Sequence, residues 1–205
     1  MTLDQLLADP AITIGAITDW LDAMDHAGRM AAMGRTSRAQ QRKLWELSAS
    51  APPITLEHFV PANVPPCTEV IHHGRNSLPA FRSFQKRFAR PKDGTPRAFG
   101  YNEGATRALI GPGYFVLHDT TSNPAWPAEW RERGAWVVDY FEVPEGEVPA
   151  AWPKVVPNSR GPQILVYHRT RDFMRRVSAH VSVGAAYKVE KPMGAFFTLI
   201  REDAS

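Results

Sequence analysis

The stretch RALIGPGYFVLHDTT, Arg107–Thr121, decides how the chain is read. Two apolar runs, ALI and YFVL, flank Gly111-Pro112-Gly113, where proline fixes φ and the following glycine accepts a positive φ, as a type II turn requires. A phosphate-binding loop would need several consecutive backbone N–H groups and a helix behind them. Pro112 removes one donor, and the β-branched, aromatic run that follows disfavours helix. The stretch therefore reads as a hairpin or tight strand connection.

Working outward, the runs PRAFGYN, TRALI, GYFVLHD, AWVVDYFEV, QILVYH and GAFFTLIR are short, rich in Val, Ile, Phe and Tyr, and bounded by Gly, Pro or Asn. They predict a mostly antiparallel sheet. Two helices are expected among them. One spans 77–89, with Leu78, Phe81, Phe84 and Phe88 on an apolar stripe, Pro79 in its first turn, and Arg82, Lys86, Arg87 and Arg90 on the other side. The second spans 170–181, capped by Thr170, with Phe173, Met174, Val177 and Val181 toward the core. Five prolines from Pro144 to Pro162 predict an extended loop of low regularity.

Upstream, Ile14, Ile17, Leu21, Met24 and Ala31 share one helical stripe. They predict a helix over 12–33 ended by Gly34, with Asp19, Asp22 and Arg29 on its solvent side. Ser37 caps a second helix through RAQQRKLWEL. Five prolines between Ala51 and Cys67 allow at most a short edge strand at ITLEHFV and mark a seam. The expectation is an α+β fold: an N-terminal helical hairpin subdomain (1–50) and a main domain (51–205) of curved, mostly antiparallel sheet with two further helices.

At 205 residues and 43% hydrophobic, the chain supports one main core. The single Cys67 excludes an intrachain disulfide framework and every CxxC motif. No run approaches a signal peptide or the roughly eighteen apolar residues of a membrane span. A soluble, cytoplasmic protein without a membrane partner is expected. The net charge of +3 is uneven: residues 51–100 carry seven Lys/Arg against three Asp/Glu, and residues 101–162 carry five against eight. This is a mildly basic face, too dilute for a nucleic-acid partner. Homo-oligomerisation stays open.

Chemistry is thinly signalled. GYNEGATR, Gly100–Arg107, offers Tyr101 and Asn102 as hydrogen-bonding groups, Glu103 as a base and Arg107 as an anion fork, although a polar turn uses the same alphabet. His118-Asp119 ends one expected strand and His168 another. If the strands are neighbours, the two histidines meet with Asp119 as orienting carboxylate, and His180 at a helix end is a further acid–base candidate. Separate, half-buried strand ends are the simpler account, with His180 complementing a helix C-terminus. His72 and His73 are adjacent, point to opposite faces of a strand and cannot chelate one metal together. Trp126, Trp130, Trp136 and Trp152 anchor the core and loops or form a stacking wall. No nucleophile elbow, HExxH spacing or cofactor motif is present.

Two function classes follow. The first is a small-molecule-binding protein or small enzyme with a polar pocket on the sheet. The second is an interaction module whose helical hairpin or basic helix binds an acidic partner. Convergence of Tyr101, Glu103, His118 and His180 in one pocket favours the first, and their scattering over separate surfaces favours the second.

Overall fold

The computed structural model describes residues 1–78 and 82–203. Its sheet is a closed antiparallel barrel: β1 (Val70–Asn76), β2 (Ser83–Ala89), β3 (Ala98–Glu103), β4 (Phe115–Asp119), β5 (Trp136–Asp139), β6 (Thr170–Arg176), β7 (Val181–Lys188) and β8 (Lys191–Arg201). Each strand pairs with the next, and β8 returns to pair with β1. Alternation at period two sends one set inward, including Phe84, Lys86 and Phe88 on β2, Asp172 and Met174 on β6, and Phe197 and Leu199 on β8. An eight-stranded barrel has a bore just wide enough to be filled by side chains or to hold one small ligand. Glycines make room inside. A Cβ on Gly74, Gly100 or Gly184 would lie within about 2.2–2.4 Å of the ring of its cross-strand partner, Phe84, Phe115 or Phe197.

One end of the bore is stoppered. The short helix α5 (Leu56–Phe59) lays Phe59 against His72, Phe88 and Trp136, at ring-centroid distances of 6.1, 5.3 and 6.3 Å. Arg201 holds this helix by donating to the Glu57 and His58 carbonyls, and His72 Nε2 donates to the Phe59 carbonyl at 2.9 Å. The helices before it, α1 (Leu3–Ala8), α2 (Ile14–Asp22), α3 (His26–Met33) and α4 (Arg38–Leu47), pack outside the barrel. Ile17, Leu21, Met33 and Leu44 meet Val181, Val183 and Ile200 on the outer faces of β7 and β8. These two strands are therefore apolar on both sides, as strands covered on both faces are.

The α+β class holds, but the sheet is a closed barrel and not an open curved layer. Pairing of β1 with β8 is a contact across the whole domain that no local pattern encodes. Both further helices are corrected to strands. The segment expected as helix 77–89 is β2 from Ser83 onward, while Pro79 and Phe81 lie outside the described residues. The segment expected as helix 170–181 is β6, the turn after it and the first residue of β7. In both, a charged residue occupies an inward position, Lys86 in one and Asp172 in the other, which hides the alternation and leaves aromatic spacing that imitates a helix.

Other expectations shift less. The 12–33 helix breaks at Asp25, whose side chain accepts from the Gly28 amide and caps α3. Arg29 is buried there, not solvated: it donates to the Met24 carbonyl and pairs with Asp203. ITLEHFV contributes the stopper helix instead of an edge strand, and QILVYH falls on a 3₁₀ turn at Gly161–Leu165 and the turns after it. Gly113 does take positive φ, at 53°. The connection from β3 to β4 is wider than a hairpin turn, because RALI forms α6 (Arg107–Ile110). The proline-rich segment after β5 is irregular as expected. Asn158 pins it by donating to the Tyr114 and Tyr140 carbonyls. Helix α7 (Glu129–Arg133) sets Trp130 against Val137 and Phe173 outside the barrel.

Candidate functional site

The other end of the barrel is open. Behind its mouth lies a cavity of about 150 Å³. Phe84, Phe197, Ile110, Val166, Tyr167 and Met193 supply its apolar lining. Four polar side chains from four different places in the sequence line it too: Lys86 on β2, Asn102 on β3, Tyr140 just after β5 and Asp172 on β6. All four are buried, Lys86 to 1% exposure.

Their geometry is closed on itself. Lys86 Nζ stands 3.1 Å from Asp172 Oδ2 and donates to Asn102 Oδ1 at 3.1 Å and to the Tyr140 hydroxyl. Tyr140 in turn donates to Asp172 Oδ2 at 3.3 Å. Asn102 Nδ2 donates to the Gly113 carbonyl at 2.9 Å, which ties the group to the positive-φ turn above it. The rings of Phe115, Tyr140 and Phe197 approach Lys86 Nζ to 4.9, 4.9 and 5.2 Å, so an aromatic cage surrounds the cation. Tyr167 stacks on Tyr140 at 5.3 Å.

Burial governs the titration of these groups. It pushes the Lys86 ammonium down from its ordinary value, against the pull of Asp172. It pushes the Asp172 carboxyl up, against Lys86 and the Tyr140 hydrogen bond. Tyr140 lies well above the ordinary phenol range, first through burial and then through Asp172. Burial likewise takes Tyr167 up to about 12. For Lys86 and Asp172 alike, desolvation outweighs mutual attraction, which narrows the gap between the charged pair and its neutral, proton-transferred form. The group as a whole presents donors and acceptors to the cavity with no net charge.

The residues singled out in the sequence fall in several places. Asn102 belongs to this group. Glu103 and Arg107 line the mouth above it, joined at 2.8 Å. Burial works to raise the Glu103 carboxyl, but bonds from Arg107, the Gly104 amide and Tyr101 take it below its usual value. Tyr101 faces outward among Tyr114 and Trp152, with its hydroxyl 3.3 Å from Glu103; burial raises it to about 12. His118 is on the outer face near the stoppered end, 3.1 Å from Glu142 and edge-on to Trp126. Asp119 is spent on a turn, accepting from the Thr121 amide and hydroxyl. His168 is half-buried on the turn before β6, at the open end, so β4 does not bring His118 to it. His180 sits on the turn between β6 and β7, at the stoppered end, 3.1 Å from Asp203.

The set Tyr101, Glu103, His118 and His180 thus scatters over separate surfaces, the outcome that on its own favours an interaction module, while a different set gathers at the cavity. Lys86, Tyr140 and Asp172 escaped the sequence reading. The available signal was a charge between two phenylalanines, Phe84-x-Lys86-x-Phe88, in a segment that also alternates. The basic helix dissolves as well: Lys86 is inside, Arg87 pairs with Glu69, and Arg90 donates to the carbonyls of Pro61, Ala62 and Val64. Of the paired histidines, His72 points into the bore and His73 out of it, toward Glu202. Among the described residues, no three His, Cys, Asp or Glu side chains gather closely enough to hold a metal ion. Comparison with family models, with curated proteins and with solved structures returned no match.

Proposed function

We propose that this chain binds a small, mainly apolar molecule carrying one neutral polar group, an alcohol or carbonyl, inside the barrel. The observation that carries this reading is the buried Lys86–Asp172 pair beside open cavity space. A buried ion pair is a weak stabilising device, often no better than apolar residues of the same volume. Placed against a cavity of about 150 Å³, it supports a recognition role.

Size and charge narrow the guest. A cavity of about 150 Å³ matches one that accepts benzene, so a single ring or a short branched chain fits, with further atoms reaching into the mouth. An anionic head would have to sit beside Asp172 as well as Lys86. Two like charges 4 Å apart cost about 4 kcal/mol at an effective dielectric of 20, so the compensated pair favours neutral guests over either sign of ion. Arg107 offers no counter-attraction, since Glu103 occupies it.

The test is a thermal-shift panel of benzyl alcohol, acetophenone, benzoate and benzylamine, because any guest that binds only the folded state raises its apparent stability. Benzyl alcohol and acetophenone raise Tm, and the two ions do not. Ala186→Phe, which fills the cavity from β7, abolishes the shift while the variant remains folded. Equal stabilisation by benzoate, or a shift that survives Ala186→Phe, contradicts the reading.

A further inference from the structure

We infer that the open end of the barrel docks on an anionic lipid surface. This stands on the rim of the barrel and not on what the cavity holds.

In an eight-stranded up-and-down barrel, four connections share each end. At the open end these follow β1, β3, β5 and β7, and every one carries an exposed large hydrophobic side chain, Leu78, Leu109, Leu165 and Val189, with Met193 exposed near the start of β8. Leu109 and Leu165 are 76% and 79% exposed, on tips where nothing in the fold requires an aliphatic residue. With Phe141 and Ile164, seven of the eight exposed large hydrophobics among the described residues lie at this end, the other being Met1. The connections at the stoppered end have none among the described residues. Scattered exposed leucines are ordinary, but confinement to one rim marks an interaction surface.

Charge identifies the partner. Arg82 and Arg169 are exposed on these connections, Lys188 and Lys191 are exposed on the strand ends flanking the last of them, and no carboxylate pairs with these four among the described residues. Of the acids on or flanking these connections, Glu103 holds Arg107, Glu190 holds Arg133 and Arg171, Glu142 pairs with His118 and Glu147 with Lys92, which leaves Glu145 exposed on the long β5–β6 connection. Aliphatic tips ringed by cations match the headgroup boundary of an anionic bilayer, where tips enter the apolar layer and cations meet lipid phosphates and carboxylates. A second copy of the chain would bring the same cations face to face. Nucleic acid would leave the aliphatic tips without a use. The absence of a spanning segment, on which a membrane partner was discounted in the sequence, does not bear on a contact made by loop tips.

The experiment is co-sedimentation of the intact chain with vesicles of phosphatidylcholine alone and of phosphatidylcholine with 30% phosphatidylserine, at 0.1 M and 0.5 M NaCl. The expected result is binding to the anionic vesicles at least tenfold above the neutral ones, lost at high salt as the Debye length shrinks to a few ångströms. Leu109→Ser with Leu165→Ser, both on exposed tips, lowers vesicle binding at least tenfold with Tm unchanged. Lys188→Glu with Lys191→Glu removes the preference for anionic lipid. Ala186→Phe, which closes the cavity, leaves vesicle binding intact, so failure here and failure of the cavity reading are told apart. Equal binding to neutral vesicles, no binding to either, or retention by the leucine variant overturns the proposal. So does a dimer in analytical ultracentrifugation that the leucine variant dissolves without any vesicle binding, which would make the rim a self-interface.

Discussion

At the stoppered end of the barrel, Phe59 fills the bore among His72, Phe88 and Trp136, and the buried polar groups there hold the stopper in place. At the open end the same bore holds Lys86, Asn102, Tyr140 and Asp172, bonded to one another beside unfilled space. The two ends draw on similar residue types, aromatic rings around a buried nitrogen base. They differ in what those groups face. His72 gives its Nε2–H to the backbone of the stopper and packs against Phe59 and Phe88, with, among the described residues, its Nδ1 unpaired and no cavity beside it in which a guest could answer it. Lys86 is compensated by its own network and still borders room for a guest. A buried polar side chain is informative about function only together with the space next to it.

The largest expected effect sharpens this contrast. Lys86→Met strands the Asp172 carboxyl in a desolvated bore and should cost about 3–5 kcal/mol in urea unfolding. Adding Asp172→Leu should recover most of that loss while benzyl alcohol no longer raises Tm. If the double variant stays as unstable as the single one, the pair is structural and the open end is a second packed end.

A smaller effect comes from the stoppered end. Burial takes His72 down to about 3 and His58 well below 6.5, so both are neutral in the folded chain. The unfolded chain takes up protons below about 6.5 while the folded chain does not. The stability these groups provide is therefore complete above pH 6.5 and falls as the pH drops toward 3. Between pH 6.5 and 5 the loss at His72 is on the order of 2 kcal/mol, and His72→Phe should remove that part of the slope while leaving the part due to His58. Urea midpoints that stay level over that range would mean that water reaches the stopper.

The smallest effect tests the outer wall. His118 lies outside the barrel beside the half-exposed Glu142, so His118→Ala should change stability by no more than about 0.5 kcal/mol and leave the benzyl alcohol shift as it is. Loss of that shift would move the site from the bore to the outer face of β4.

Much of the barrel was legible in local pattern. Apolar, β-branched runs mark β3, β4, β5 and β8, Ser37 marks the start of α4, and Gly113 declares its positive φ. What failed to read lies partly away from the site, since β1 and β7 were not expected and the expected strands TRALI and QILVYH are α6 and a 3₁₀ turn, and partly at the site itself. Phe84-x-Lys86-x-Phe88 and Thr170-x-Asp172-x-Met174 each alternate along a strand, but the middle inward position is charged, and binary patterning assigns charge to the outside. The charged residues that line the cavity are thus the ones that disguised the strands carrying them, which is what the proposed binding role would lead one to expect. Asn102 was visible because a polar cluster draws attention. Tyr140 was not, because a tyrosine at a strand end usually means packing. Closure of the ring joins β1 to β8, over a hundred residues apart, and leaves no local trace.

The central claim is that the open bore receives a neutral guest against the Lys86–Asp172 group. A crystal soaked in 4-bromobenzyl alcohol tests it directly, since the anomalous signal of bromine locates the ring without interpretation of the protein. The account predicts a bromine peak inside the mouth, near Tyr167 and Met193, with the hydroxyl within hydrogen-bond reach of Asp172 or Tyr140. Bromine found only on the outer helices, or an empty bore at millimolar alcohol, would contradict it.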